Sequence, residues 1–472
     1  MLKAQWQRKW RKRLSVFVGL YLCTGAGNAG YAAGADDFKT PEYYKSKGLD
    51  FIKAADAYAL GYTGKDITFG ICDQYVYFPH PEFRTKTNSG TLLTVPGDYD
   101  WIGNNHGTHV GGIMVAAKDG SEMHGVAYDA NLVSGTFVAE ETGVNISQTY
   151  DAFNKNSKIK IINNSWSGDG YIDEIGKAAV LQKNEASANI LANSIIKYDK
   201  VLVFSAGNDG YSSPRGESVL PYLKPDTAGN FITVTSIDPA KNTTASGFLS
   251  IFSNLPKYVE ENSIAAPGHF IYSAVPTSQY LYDPGTSMAA PHVSGVAGLV
   301  QQAFPYMNGK QIVDTVLSSA NRKFSLPTLS VTIQSGQGDL KLNVYYFDDK
   351  PDPQTIQKDL TTYFTDNQET VTYFSGKNFD TLTKFLAADK TVYGNVPQEM
   401  VFGQGLLDAA AAVRGPGLLN ARRMDKSTIS SAYGSNQALY KVYTQGYNSV
   451  WSNNIGQIKA GKLADSNTES DL

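Results

Sequence analysis

From about residue 50 the chain alternates between short apolar runs and longer segments whose apolar positions recur every three or four residues. "DITFGIC" (66–72), "IKIINNS" (159–165), "VLVFSAGN" (201–208) and "FITVTSI" (231–237) are short, rich in β-branched residues and bounded by Gly, Asn or Asp. Near-continuous apolar runs of that length predict strands buried on both faces, the pattern of a parallel sheet covered by helices. Between and after them, "GTHVGGIMVAA" (107–117), "IDEIGKAAVLQKNEASANILANSIIKY" (172–198) and "SMAAPHVSGVAGLVQQAF" (287–304) predict helices. Strands alternating with helices give an α/β fold, a mostly parallel β-sheet flanked by helices on both faces.

The pattern breaks in three places. Residues 325–398 carry alternating segments such as "LSVTIQ" and "LKLNVYYF", which predict a β-rich insertion before the final helix, "VFGQGLLDAAAAV" (401–413). The acidic trio Asp348, Asp349 and Asp352 in that insertion is read as a solvated turn rather than a cation site. Beyond "RGPG" (414–417) the text turns polar, so 418–472 is read as a tail. At the other end, basic residues precede the apolar run "LSVFVGLYLC" and the small-residue segment "TGAGNAGYAAG", the order of a secretory signal peptide over 1–33. Residues 34–417 are then one domain.

The leader changes the charge balance. The 472 residues hold 41 basic and 44 acidic side chains. The first 33 contain six basic and no acidic ones, which leaves 35 against 44, a net charge of −9, downstream. An exported, mildly acidic chain is not a nucleic-acid binder. Of the two cysteines only Cys72 lies beyond the leader, so no disulfide forms within the processed chain. With 42% apolar and 18% charged residues, a large core supplies stability instead.

Three polar residues stand where predicted elements begin or end. Asp73 closes the run 66–72, His106 opens the helix at 107, and Ser287 opens the helix at 287. Element ends at the carboxyl edge of a parallel sheet face the crevice where ligands bind. A serine hydroxyl becomes a nucleophile only with a base in reach, a group that orients the base, and donors for the oxyanion. Taken singly each residue has an ordinary reading, as turn aspartate, structural histidine or helix-starting serine. Together they form three sparse motifs in the order Asp, His, Ser, which is that of subtilisin.

"NNHGTHVGG" (104–112) and "GTSMAAPHVSGVAGL" (285–299) resemble the histidine and serine signatures of subtilisin-like serine proteases. "VFSAGNDG" (203–210) resembles the family segment that carries the oxyanion asparagine, and "HPEF" (80–83), "AAPG" (265–268) and "YTGKDITFGICD" (62–73) are supporting landmarks. The resemblance covers roughly 48–320 and resumes at 401–417. It implies a serine endopeptidase with Ser287 as nucleophile, His106 as base, Asp73 as orienting acid and Asn208 as oxyanion donor. It also implies that "NNSWSG" (163–168) binds extended substrate through Ser165, Trp166 and Ser167, with Gly168 and Gly170 allowing close approach and "SGTFVAEETG" (134–143) as the opposite wall. Trp166 reads equally well as a pocket wall or a core cover.

The family chemistry requires no cofactor or catalytic metal. The loop "AKDGSEMHG" (117–125) lies where some relatives bind calcium, and a structural calcium is left open there. The departures are Gln74 and Tyr75 after the aspartate, where small residues are usual, and Pro284, where many relatives have asparagine. "GPG" and "SVWSNNIGQIKAGKL" (449–463) resemble the junction in subtilisin-like autotransporters where a β-helical stalk begins. Such relatives end in a membrane barrel, so three expectations stay open: a truncated product whose missing C-terminal region attaches it to the outer membrane, a chain secreted free, or one whose anchor a partner supplies. The chain is read as a secreted or cell-surface monomer acting on proteins or peptides. The rival expectations are a catalytically idle adhesion scaffold and an esterase, although Ser287 lacks the Gly-X-Ser-X-Gly elbow of the latter.

Overall fold

The computed structural model describes residues 33–86, 89–91, 100, 102–137, 146–240, 249–250, 252–322 and 399–416, together with three strands between 329 and 393. The signal-peptide reading of 1–33 (Ala33 apart), the tail and its stalk resemblance, the wall segment beyond 137, and Asp348, Asp349 and Asp352 lie outside the described residues.

Seven strands form the main sheet: β1 Thr68–Asp73, β2 Gly90–Thr91, β3 Asn131–Thr136, β4 Ile159–Asn164, β5 Val201–Ser205, β6 Phe231–Ile237 and β7 Ser263–Pro267. Every pairing is parallel, in the order β2-β3-β1-β4-β5-β6-β7. β1 therefore lies inside the sheet between β3 and β4, and β4 to β7 follow outward from it in chain order on one side. The strand ends beside it bound the crevice predicted for a parallel sheet.

Alternation along each strand sorts its side chains between two cores. Phe69 and Ile71 of β1, Val201 and Val203 of β5 and Ile232 and Val234 of β6 join one core. Cys72, Leu202, Phe204 and Phe231 join the other. Short helices α1 (Pro41–Lys45) and α2 (Ala54–Ala59) precede β1, and α7 (Leu220–Leu223) follows β5. The first core is completed by helices α3 (His106–Val115) and α8 (Thr286–Ala303), which supply residues such as Val110, Met114, Val293 and Val296. The second is completed by α4 (Ile146–Lys155) and α6 (Glu185–Tyr198), through Tyr150, Phe153, Leu191 and Ile195. Burial on both faces is why these strands read as unbroken apolar runs. Each large apolar side chain removed from water contributes about 1.5–3 kcal/mol.

α8 crosses β1 closely. A Cβ at Gly298 would sit 2.1 Å from Phe69 Cζ, so any side chain there pushes the helix off the sheet. The remaining features bear less on the site. The region 172–198 leaves helical geometry twice, at Gly176 (φ +79°, ψ +158°) inside α5 (Ile172–Lys183) and at Asn184 between α5 and α6. A two-stranded antiparallel hairpin, β8 (Ile271–Val275) and β9 (Gln279–Asp283), leads directly into α8. Within the predicted insertion, Leu329–Gln334 pairs antiparallel with both Lys341–Tyr346 and Lys390–Tyr393.

Candidate active site

Asp73, at the carboxyl end of β1, is fully buried. Its Oδ1 lies 2.7 Å from His106 Nδ1 and accepts the Gln74 backbone N–H at 2.7 Å. His106 is the first residue of α3, and the Asn105 that precedes it offers no side-chain cap. Gln74 takes over: its Oε1 accepts the His106 N–H at 3.0 Å. The helix start also abuts the Gln74 backbone, since a Cβ at Gly107 would fall 2.0 Å from the Gln74 carbonyl oxygen. The bulky residue after the aspartate is thus a device that fixes the histidine. Burial pulls the His106 pKa down, but the charge of Asp73, its hydrogen bond and the charge of Asp283 outweigh it, so the net shift is upward.

Ser287 is the second residue of α8. Pro291, inside the helix, has no N–H to give the Ser287 carbonyl. The Ser165 hydroxyl donates to that carbonyl instead, at 2.7 Å. In return Ser287 Oγ donates to the Ser165 carbonyl at 3.1 Å, its one hydrogen bond among the described residues. The hydroxyl therefore rests against the Ser165 carbonyl; apo sites commonly show such relaxed geometry.

Asn208 orders the start of α8 from outside the helix. Its Oδ1 accepts the Thr286 N–H at 2.8 Å and the Thr286 hydroxyl at 2.9 Å. With the oxygen so engaged, Asn208 Nδ2 has no acceptor among the described residues and is turned toward Gly285. A Cβ placed on Gly285 would lie 3.6 Å from Asn208 Nδ2 and 3.5 Å from Ser287 N, so both donors flank the same space. The Asn208 loop is held by Asn254, which is fully buried. Asn254 accepts the Asp209 and Tyr211 N–H groups and donates to the Ala206 carbonyl. Gly207 permits this, having φ +107° and an Asn254 Nδ2 atom 2.3 Å from where a Cβ would stand. No sequence motif announces Asn254.

Ser165, Trp166 and Ser167 follow β4 directly. Ser165 is buried, with its hydroxyl also accepting from Asn163 Nδ2 at 3.0 Å. The Trp166 ring packs against Phe204 and Phe137, at centroid distances of 5.1 and 5.3 Å. The backbone N–H and C=O groups of Trp166 and Ser167 have no partner among the described residues. Gly168 serves the protein itself: a Cβ there would meet Asn184 Oδ1 at 2.1 Å and Glu217 Oε2 at 2.3 Å. Gly170 is needed for its φ of +91°.

An aspartate–imidazole pair, a serine at a helix N-terminus and two converging N–H donors can together support acyl transfer. Residues 64–352 match the family model Peptidase S8, the subtilase family. The chain belongs to the subtilase family. An extracellular serine protease of Serratia marcescens is 30% identical to this subtilase over 374 residues, covering 65% of this chain and 35% of that protein. Subtilisin DY of Bacillus licheniformis is 29% identical over 282 residues, 58% of this chain and 90% of its own length. The major intracellular serine protease of Bacillus subtilis (strain 168) is 31% identical over 265 residues, 54% and 74% respectively. The subtilase thus spans about a third of the length of the Serratia protein it matches.

The loop 117–125 of the subtilase is closed by its own bonds. Glu42 Oε1 accepts the Asp119 N–H at 2.9 Å, and the Glu82 carbonyl accepts the Ala117 N–H at 3.0 Å. Glu82 Oε1 accepts the Tyr280 hydroxyl at 2.7 Å, and Glu122 is held by Lys45 and the Tyr272 hydroxyl. Burial pushes the Glu82 carboxyl up to about 8, so it carries a proton at neutral pH. Among the described residues no three acidic, histidine or cysteine side chains are placed to hold a cation. Here Glu42 is engaged by a backbone amide, Glu82 by a hydroxyl, and Glu122 by an ammonium and a hydroxyl.

Proposed function

We propose that this chain is an exported serine endopeptidase acting on proteins and peptides bound in extended form. The observation that carries the reading is the 2.7 Å Asp73–His106 pair, together with a serine at a helix start where two donors flank one space. In this mechanism His106 Nε2 takes the Ser287 proton as Oγ attacks the scissile carbonyl, then gives that proton to the leaving amine. Asp73 holds the tautomer and stabilises the imidazolium. Asn208 Nδ2 and the Ser287 N–H receive the oxyanion; a donor of this kind is worth about 2.7–4 kcal/mol in the transition state, a range taken from subtilisin itself. Trp166 and Ser167 hydrogen-bond the substrate by strand addition, a role supported by their unpaired backbone groups. Export rests on the leader-like residues 1–33 and on the extracellular naming of the Serratia relative.

The chemistry needs no metal or cofactor, and the self-bonded loop 117–125 needs no calcium. Digestion of an unfolded protein by the purified chain in EDTA therefore yields internal cleavages at the rate seen with added calcium. No cleavage at all supports the idle scaffold, ester hydrolysis without peptide cleavage supports the esterase, and loss of cleavage in EDTA contradicts the reading of the loop.

A further inference from the structure

We propose that Asp283 determines specificity, selecting a lysine or arginine immediately after the bond that Ser287 attacks. The proposal rests on the endopeptidase reading above. β9 ends at Asp283, four residues before Ser287. α3 is locked along the β8–β9 hairpin: His109 Nε2 lies 3.2 Å from the Leu281 carbonyl oxygen, and the Ser273 hydroxyl donates to the His109 carbonyl at 2.7 Å. Ser273 pairs with Leu281, and Ile271 with Asp283. His109 thus meets β9 at Leu281. One helical turn earlier His106 stands beside Asp283, two residues on and on the same strand face. Tyr280 and Tyr282 point to the opposite face, against the Tyr272 ring.

Asp283 is partly covered and makes no hydrogen bond or ion pair among the described residues. Burial pushes its pKa up, and the only charge that acts against this is that of His106. The other titratable groups at the imidazole are Asp73 of β1, of like sign, and His109, whose pKa burial depresses to about 3 and which stays neutral. Protonated His106 is thus the one cation that compensates Asp283 among the described residues, and neutral His106, the form that catalysis needs, leaves it uncompensated. A half-covered carboxylate without a partner is costly, and its environment favours any cation that arrives.

The reaction decides which cation that is. The base hands its proton to the leaving amine, so that amine lies on the His106 side of Ser287. Ser165 and Asn208 occupy the other flank through their bonds to Ser287 and Thr286. The residue that carries the leaving amine therefore presents its side chain to Asp283.

The test uses three peptides identical except for Lys, Ala or Glu directly after the cleaved bond. The wild type is expected to prefer Lys to Ala by about tenfold in kcat/KM and Ala to Glu, a size set by one partly screened charge pair. Asp283→Asn brings the Lys/Ala ratio to about one, and Asp283→Lys reverses the order. Equal cleavage of all three by the wild type, or an unchanged ratio in Asp283→Asn, overturns this proposal alone. Cleavage of none overturns the endopeptidase reading and the proposal with it.

Discussion

Replacing Ser287 with alanine lowers kcat for peptide hydrolysis about 10⁶-fold, the loss measured when subtilisin's own triad is dismantled. The loss is large because the flanking hydroxyls are already engaged: Ser165 donates to the Ser287 carbonyl and Thr286 to Asn208 Oδ1. The fold survives, since Ser287 Oγ makes a single hydrogen bond, to the Ser165 carbonyl at 3.1 Å, worth about 0.5–1.5 kcal/mol. The residual rate stays above that of water because Asn208 Nδ2 and the residue 287 N–H remain to stabilise an oxyanion. Steady-state kinetics on one peptide, with thermal melts of both proteins, check this. A variant within tenfold of wild type contradicts it.

Asp73→Asn is expected to lower kcat about 10⁴-fold with little change in KM. An asparagine amide can donate to His106 Nδ1, which places the ring proton on Nε2 and leaves no base for Ser287. The pH dependence changes as well. Activity requires neutral His106, whose pKa lies above 6.5 because the charge of Asp73, its hydrogen bond and the charge of Asp283 overcome the effect of burial. The wild-type acidic limb therefore falls above pH 6.5, and in Asp73→Asn it moves lower. Stability follows the same sign. A histidine whose pKa is raised on folding adds stability that is complete below the unfolded value near 6.5 and is lost as pH rises through the folded value. The stability gap between wild type and variant is accordingly wider at pH 5 than at pH 8 in denaturant melts. An unchanged limb, or a gap that widens with pH, removes Asp73 from its assigned part.

Asp73, His106 and Ser287 could be singled out in the sequence because each sits at the end of an element in a sparse motif, and Asn208 because it follows β5 in another; a parallel sheet brings such ends to one edge. β1, β4, β5 and β6 were legible because burial on both faces leaves an unbroken apolar run. β3, "NLVSGT", and β7, "SIAAP", were not: β3 has only two large apolar side chains and β7 one. Their place in the sheet comes from their neighbours, which local pattern does not report. The break at Asn184 was hidden for the same reason, since that residue's side chain bonds to Asp169 and Val180 rather than to a repeating helical face. Gln74 stood out in the sequence as a departure, and the structure makes it the cap of α3. Gly168 was assigned to substrate approach, yet its space is filled by Asn184 and Glu217. In both cases the residue type was visible and its partner, many positions away, was not.

The central claim is that Ser287 is the activated nucleophile. Treating the purified protein with a fluorophosphonate and mapping the adduct by mass spectrometry tests it most directly. One adduct on the peptide containing Ser287, absent from Ser287→Ala and much slower to form in Asp73→Asn, is the expected result. An unlabelled Ser287, or an adduct on another serine such as Ser165, contradicts the account.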